Sequence, residues 1–145
     1  MMNKIFVDSN VWIYLFADED NPKCKIAEKF IASNAATNII VISYQVINEV
    51  CNVLKRKKFT EPDIRLVIEN MAKICVIQDY SKDIALSASR LRENHSFSFW
   101  DSHIVASAII AKCNCLTSED MQDGQNINGV TIKNIFNAGL SVRQM

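Results

Sequence analysis

Five apolar runs, each too short to be a helix, punctuate this chain: Lys4 to Val7, Asn38 to Ile42, Cys75 to Ile77, Cys115 to Thr117 and Val130 to Ile132. The clearest is Asn38-Ile-Ile-Val-Ile42, whose β-branched side chains suit a pleated, buried surface. Between the runs lie longer segments patterned for helices. Strands buried on both faces and alternating with helices predict a parallel sheet of about five strands. Helices cover both sides of such a sheet, giving a three-layer α/β/α arrangement. Ligands of these sheets sit at the carboxyl ends of the strands, which is where chemistry is to be sought.

The intervening segments carry their own punctuation. A helical turn is expected over Val11 to Phe16. Asn21-Pro22 starts a helix, with Asn as the cap and Pro in the first turn, and Ile26, Ala27, Phe30 and Ile31 form its apolar face. Tyr44 to Lys58 follows, with Val46, Ile47, Val50, Cys51, Val53 and Leu54 on one arc. Thr60-Glu61-Pro62-Asp63 opens the next helix, whose Ile64, Val67, Ile68 and Met71 repeat at i, i+3, i+4, i+7. Lys82 to Asn94 and Trp100 to Lys112 complete the set. The last two strands are separated by a polar loop containing Gly124 and Gly129.

A chain of 145 residues is one domain's worth, and a single domain is expected over 1–145. No apolar run is long enough to span a bilayer, and the acid at position 8 interrupts any signal-peptide core, so a cytoplasmic protein without a membrane role is expected. Cys24, Cys51, Cys75, Cys113 and Cys115 read as reduced thiols. Cys113 and Cys115 lack the second pair or histidine that a zinc site requires. Net charge is zero, with 16 basic and 16 acidic residues, which argues against tight non-specific binding of nucleic acid. An enzyme with its acids gathered in a pocket is compatible with that balance.

Four acids draw attention. Asp8 ends the first strand; as a residue it suits a helix cap as well as a strand-end site, and Asn10 is a second candidate for the cap. Asp101 lies near a helix start, at the centre of the apolar stripe formed by Ile104, Val105, Ala108 and Ile109. An ionised carboxylate is expensive to bury there without partners. A Ser98–Asp101 capping box is the plainer account, but Glu or Gln is the usual partner at that position, so a shared pocket is the preferred reading. Glu49 lies at the edge of its helix's apolar arc, and its pattern alone fits a half-exposed flank residue. Asp120 follows the strand at Cys115 to Thr117, where turn chemistry also accounts for it.

Carboxylates converging at one sheet edge repel one another, each pair by about 4 kcal/mol at ~4 Å. A divalent cation removes that penalty, and an all-oxygen set suits Mg²⁺ or Mn²⁺ rather than zinc. Such an ion activates water and stabilises phosphoryl charge, which fits phosphodiester hydrolysis without a nucleophilic side chain. Other residues attract plainer readings. His95 and His103 are expected at the surface. Lys55-Arg-Lys-Lys58 suits a helix C-terminus. Trp12, Phe16, Phe97, Phe99 and Trp100 are read as packing groups.

Four stretches, Ile5-Phe-Val-Asp8-Ser-Asn10-Val, Ser43-Tyr-Gln-Val-Ile-Asn-Glu49-Val, Ser98-Phe-Trp-Asp101-Ser-His-Ile-Val-Ala and Leu116-Thr-Ser-Glu-Asp120-Met-Gln-Asp-Gly, together resemble the signature of PIN-domain nucleases. More narrowly, they resemble VapC-type toxins of toxin–antitoxin pairs. The resemblance spans the chain and implies a PIN-like fold with Mg²⁺- or Mn²⁺-dependent endoribonuclease activity. It assigns metal binding and water activation to Asp8, Glu49, Asp101 and Asp120, with Asn10 and Ser118 in support. Asp123 is the rival for the fourth acid, but Asp120 fits the Ser-x-Asp spacing. The resemblance also implies an RNA substrate (related toxins cut structured RNA such as transfer RNA), a homodimer and a cognate antitoxin. Two other readings compete. A PIN-like fold used only for binding gains nothing from clustered acids. A haloacid dehalogenase-like phosphatase needs an acid where this chain has Asn10, and a motif Lys that is not evident.

Overall fold

The computed structural model describes residues 2–137. Six strands and six helices follow one another as β1 (Lys4–Val7), α1 (Ser9–Ala17), α2 (Pro22–Thr37), β2 (Ile39–Ser43), α3 (Tyr44–Arg56), α4 (Glu61–Ile74), β3 (Val76–Gln78), α5 (Lys82–Asn94), α6 (Phe99–Ile110), β4 (Cys115–Thr117), β5 (Asn126–Ile127) and β6 (Val130–Lys133). They form one sheet in the order β3-β2-β1-β4-β6-β5, parallel except for β5. The five expected strands are all present. The sixth, β5, lies within what reads as a polar loop. Its cue is Asn128-Gly129, where both residues take positive φ (48° and 92°), the two-residue turn that favours a hairpin.

Element ends follow local chemistry. Asn21 caps α2 by accepting from the Lys23 amide at 3.0 Å, with Pro22 in the first turn. The Thr60 hydroxyl caps α4 through the Asp63 amide at 3.3 Å. Helix α3 stops short of Lys58, which adopts φ 67°, and α6 stops short of Lys112 at φ 60°. Lys55 and Arg56 lie in the last turn of α3, as the helix dipole favours.

Connectivity places the helices. From β1 the chain steps to β2 and then β3, so the right-handed crossover rule sets α1–α4 on one face; it then returns past β1 to β4, carrying α5 and α6 to the other. Phe6, Val7, Trp12, Ile42, Leu54, Ile104, Leu116 and Ile132 are essentially inaccessible and build a core on both faces of the sheet. Removing this apolar surface from water is the main force holding the layers together. All five cysteines are free thiols, and burial pushes those of Cys75 and Cys113 up to about 12. No helix among the described residues is long and apolar enough to cross a membrane.

The order β2-β1-β4 makes the junction of β1 and β4 the point where successive connections leave the sheet in opposite directions. A crevice opens there at the carboxyl ends of the strands.

Candidate active site

Asp8 stands at that junction. Its amide donates to the Thr117 carbonyl at 3.0 Å, fixing the ends of β1 and β4 side by side. The Asp8 carboxylate accepts from the Ser9 amide at 2.7 Å and from the Ser118 hydroxyl at 3.0 Å. Asp8 therefore does cap α1, and Asn10, the other candidate, lies inside that helix. Capping does not exhaust it. The side chain is buried, and burial drives its pKa from the ordinary 3.8 to about 6. The bonds from Ser9 and Ser118 work against this rise, and the negative fields of Asp101 and Asp120 add to it.

Glu49 arrives from the second turn of α3, where Val46, Ile47, Val50 and Leu54 hold the helix against the core. Burial raises its carboxyl from 4.5 to about 7. The charge on Asp8 adds most after that, and those of Asp101 and Asp120 add further; Gln45 opposes the shift. Glu49 Oε1 and both polar atoms of the Asn10 side chain are buried without hydrogen-bond partners. Buried polar atoms of this kind normally find partners, so these three atoms are open to water or an ion.

Asp101 sits in the first turn of α6, its amide bonded to the capping Ser98 hydroxyl at 3.1 Å. The cap and the functional geometry thus coexist here as well. Burial raises the Asp101 carboxyl, Ser98 holds it down in part, and Asp120 raises it further. Asp120, just beyond β4, donates its amide to the Ser118 hydroxyl at 3.4 Å. Asp101 and Asp120 together line a cavity of about 400 Å³ with His95, Phe97 and Gln125. Asp123 is turned to another task, accepting from the Asn134 amide at 2.9 Å. Four acids from four separate segments, with Asn10 and Ser118 beside them, are thus brought to one strand edge.

The donor set is all oxygen, the charges of neighbouring acids raise Asp8, Glu49 and Asp101, and Glu49 and Asn10 leave buried atoms unpaired. These are the properties of a site for a hard divalent cation. As the side chains stand, no three His, Cys, Asp or Glu residues among those described are close enough to grip one ion together.

Around the acids the structure corrects two expectations and adds two features. His103 is buried, not at the surface, because α6 is enclosed almost all round by the sheet and by α5. Its Nδ1 lies 2.8 Å from the Phe99 carbonyl, and its ring packs on Phe99 at a centroid distance of 4.7 Å. Phe99 and Trp100 are not packing groups: they are 52% and 63% exposed. With Gln45, Asn48, Glu49 and His103 they line a groove of about 730 Å³ between α3 and α6. The signal for it was the spacing of Gln45, Asn48 and Asn52, which puts three amides on the Glu49 side of α3. The other addition is a polar clamp: the Tyr14 hydroxyl donates to Glu119 at 2.7 Å, and Lys23 forms an ion pair with the same carboxylate. Glu119 stands between Ser118 and Asp120, so the clamp holds the segment that carries the fourth acid.

The family model for the PIN domain matches residues 5–123 of this sequence. A comparison with curated proteins finds no match. Among solved structures, the toxin–antitoxin complex from Klebsiella pneumoniae is similar with a TM-score of 0.66 at 24% identity, covering 88% of this chain and 95% of that one. VapBC2 from Rickettsia felis, bound to a DNA fragment from its promoter, gives 0.69 at 16% identity over 90% and 98%. VapC20 of Mycobacterium tuberculosis, a toxin that cleaves the sarcin–ricin loop, gives 0.64 at 18% identity over 77% and 86%. These likenesses establish the fold, and the family match establishes membership: the chain belongs to the PIN domain family.

Proposed function

We propose that this PIN-domain chain is a divalent-metal-dependent endoribonuclease and the toxin of a toxin–antitoxin pair. The observation that carries the reading is the convergence of Asp8, Glu49, Asp101 and Asp120, from four segments, on the crevice between β1 and β4. Asp8, Asp101 and Asp120 would hold Mg²⁺ or Mn²⁺, some of them through the ion's own waters because no three lie close enough to bind it directly, with Glu49 at the edge of the set. When bound, the ion would supply a water activated near neutral pH and charge stabilisation at the scissile phosphate.

The chain's own groups complete the chemistry. Ser118 donates to Asp8 and so holds the carboxylate in one orientation. Glu49, with a carboxyl raised to about 7, is matched to taking a proton from water at neutral pH. Asn10 has an amide free to orient that water or a phosphate oxygen. The toxin–antitoxin complex among the structural neighbours supports an antitoxin partner for this chain; the homodimer and a cytoplasmic location belong to the same reading. The similarity to a toxin that cuts an RNA loop supports RNA as the substrate, with transfer RNA a further candidate.

The test is cleavage of RNA by the purified chain in Mn²⁺ or Mg²⁺, followed by sequencing of the new ends. Asp8→Asn and Asp101→Asn should abolish cutting while circular dichroism stays unchanged. Undiminished cutting by either variant would remove the metal-site assignment. A wild-type protein that cuts nothing but co-purifies with a partner would favour a PIN fold used only for binding.

A further inference from the structure

The acids lie between two concavities. Asp101 and Asp120 line the first; Glu49 lines the second, and Trp100, the residue before Asp101, lies in it. A phosphodiester is placed in just this way, since its phosphate stands between two nucleosides. A phosphate held at Asp101 would have the concavity lined by Trp100 beside it for a flanking base.

The second concavity has the chemistry of a base site. Trp100 and Phe99 present exposed rings, set edge to face at 5.0 Å, and Tyr80 is a third, 63% exposed. Phe99 is fixed from behind, with the Arg92 guanidinium 4.6 Å from its ring centroid and His103 packed on it. The Gln45 amide donates to the Trp100 carbonyl at 3.3 Å, tying α3 to the start of α6. Asn48 and Asn52 are exposed on the same side of α3 and present amides, which both donate and accept. Rings for stacking beside amides for hydrogen bonding are what unpaired bases require. Three amides and a carboxylate among the rings are poorly suited to an apolar protein anchor. Zero net charge also leaves little phosphate neutralisation to rely on.

We propose that the α3–α6 groove binds an unpaired nucleobase adjoining the scissile phosphate, stacked on Trp100 and read at its edge by Asn48 and Asn52. The inference rests on the nuclease reading for its substrate. It makes Trp100 and the two asparagines the groups that set affinity and base preference beside the cut.

The test is titration of the 145-residue chain in EDTA, so that nothing is cut, with single-stranded hexaribonucleotides and with a base-paired duplex. Trp12 is buried with its indole N–H on the Val7 carbonyl, so quenching by a bound base reports on Trp100. Single-stranded RNA should quench the fluorescence and the duplex should not. Trp100→Leu should weaken binding on the order of 10-fold. Asn52→Ala should alter the preference among bases, and an abasic site at one position should abolish the sensitivity to Trp100. Unchanged affinity in Trp100→Leu overturns the proposal. So does a Trp100→Leu variant that changes only the sedimentation, which would make the groove an interface between copies, or only capture of the antitoxin. Metal-dependent cleavage by Trp100→Leu with affinity and rate unchanged sinks this proposal and spares the nuclease reading. Quenching without metal-dependent cleavage does the reverse.

Discussion

The Ser118 hydroxyl donates to the Asp8 carboxylate at 3.0 Å, joining residues 110 apart in the chain across the junction of β1 and β4. The bond restrains a buried acid that sits beside three others. Ser118→Ala removes it and leaves Asp8 with the Ser9 amide as its remaining donor. A hydrogen bond to a charged group contributes about 2 kcal/mol, so the Asp8 pKa should rise further. The acid limb of the pH–rate profile should move upward and kcat should fall on the order of 10-fold. Ser118→Thr should restore both. A profile that Ser118→Ala leaves in place would show that the bond does not orient Asp8.

Glu49 differs from the other acids in its assigned role. If it takes a proton from water, Glu49→Gln should lower kcat on the order of 100-fold or more while metal affinity changes little. Asp101→Asn, by contrast, should lower metal affinity itself. Calorimetric titration with Mn²⁺ separates the two. Equal losses of metal binding in both variants would make Glu49 a ligand rather than a base.

The Tyr14–Glu119–Lys23 clamp predicts a weaker effect of another kind. Tyr14→Phe deletes one donor to a partly buried carboxylate, and Lys23→Met removes the ion pair. Neither residue reaches the acids, so both are positioning residues for the segment carrying Asp120. Each variant should raise the metal concentration needed for half-maximal activity a few-fold, with kcat at saturating metal preserved. A loss of kcat alone would place the clamp in the chemistry instead.

What the residues disclosed and what they withheld differ for physical reasons. The five parallel strands were legible because strands buried on both faces must be apolar throughout. Asp101 was legible as a charge placed where the pattern demanded an apolar group, and Asp8 from its position at the end of a strand. Glu49 and Asp120 were not: one lies at the flank of a stripe and the other in a turn, and ordinary surface acids occupy both kinds of place. They come together only through the topology of β1 and β4. His103 misled because a single-helix projection supposes one buried face, whereas α6 is enclosed between the sheet and α5. Trp100 misled in the opposite sense, since large rings are usually buried and this one is held out by the start of its helix.

The raised acids make stability depend on pH with a definite sign. Asp8 has a folded pKa of about 6 against an ordinary 3.8, so folding favours its neutral form. That contribution is fully present below 3.8 and is lost as the pH rises through 6. Two units correspond to about 3 kcal/mol for this buried group. Glu49, rising from 4.5 to about 7, acts in the same direction, reduced by its contact with solvent. The exposed Lys55–Glu61 pair lowers Glu61 and works the other way, below this window. Metal-free protein should therefore lose stability between about pH 4.5 and 7, seen as a falling urea midpoint with unchanged slope. Asp8→Asn, which cannot ionise, should flatten much of that loss. Mn²⁺ binds deprotonated ligands, so it should raise the midpoint more at pH 8 than at pH 5 and oppose the decline. A midpoint that is flat across this range without metal would mean that burial does not raise Asp8 and Glu49, and one that Mn²⁺ raises equally in the wild type and in Asp8→Asn would mean that Asp8 holds no ion.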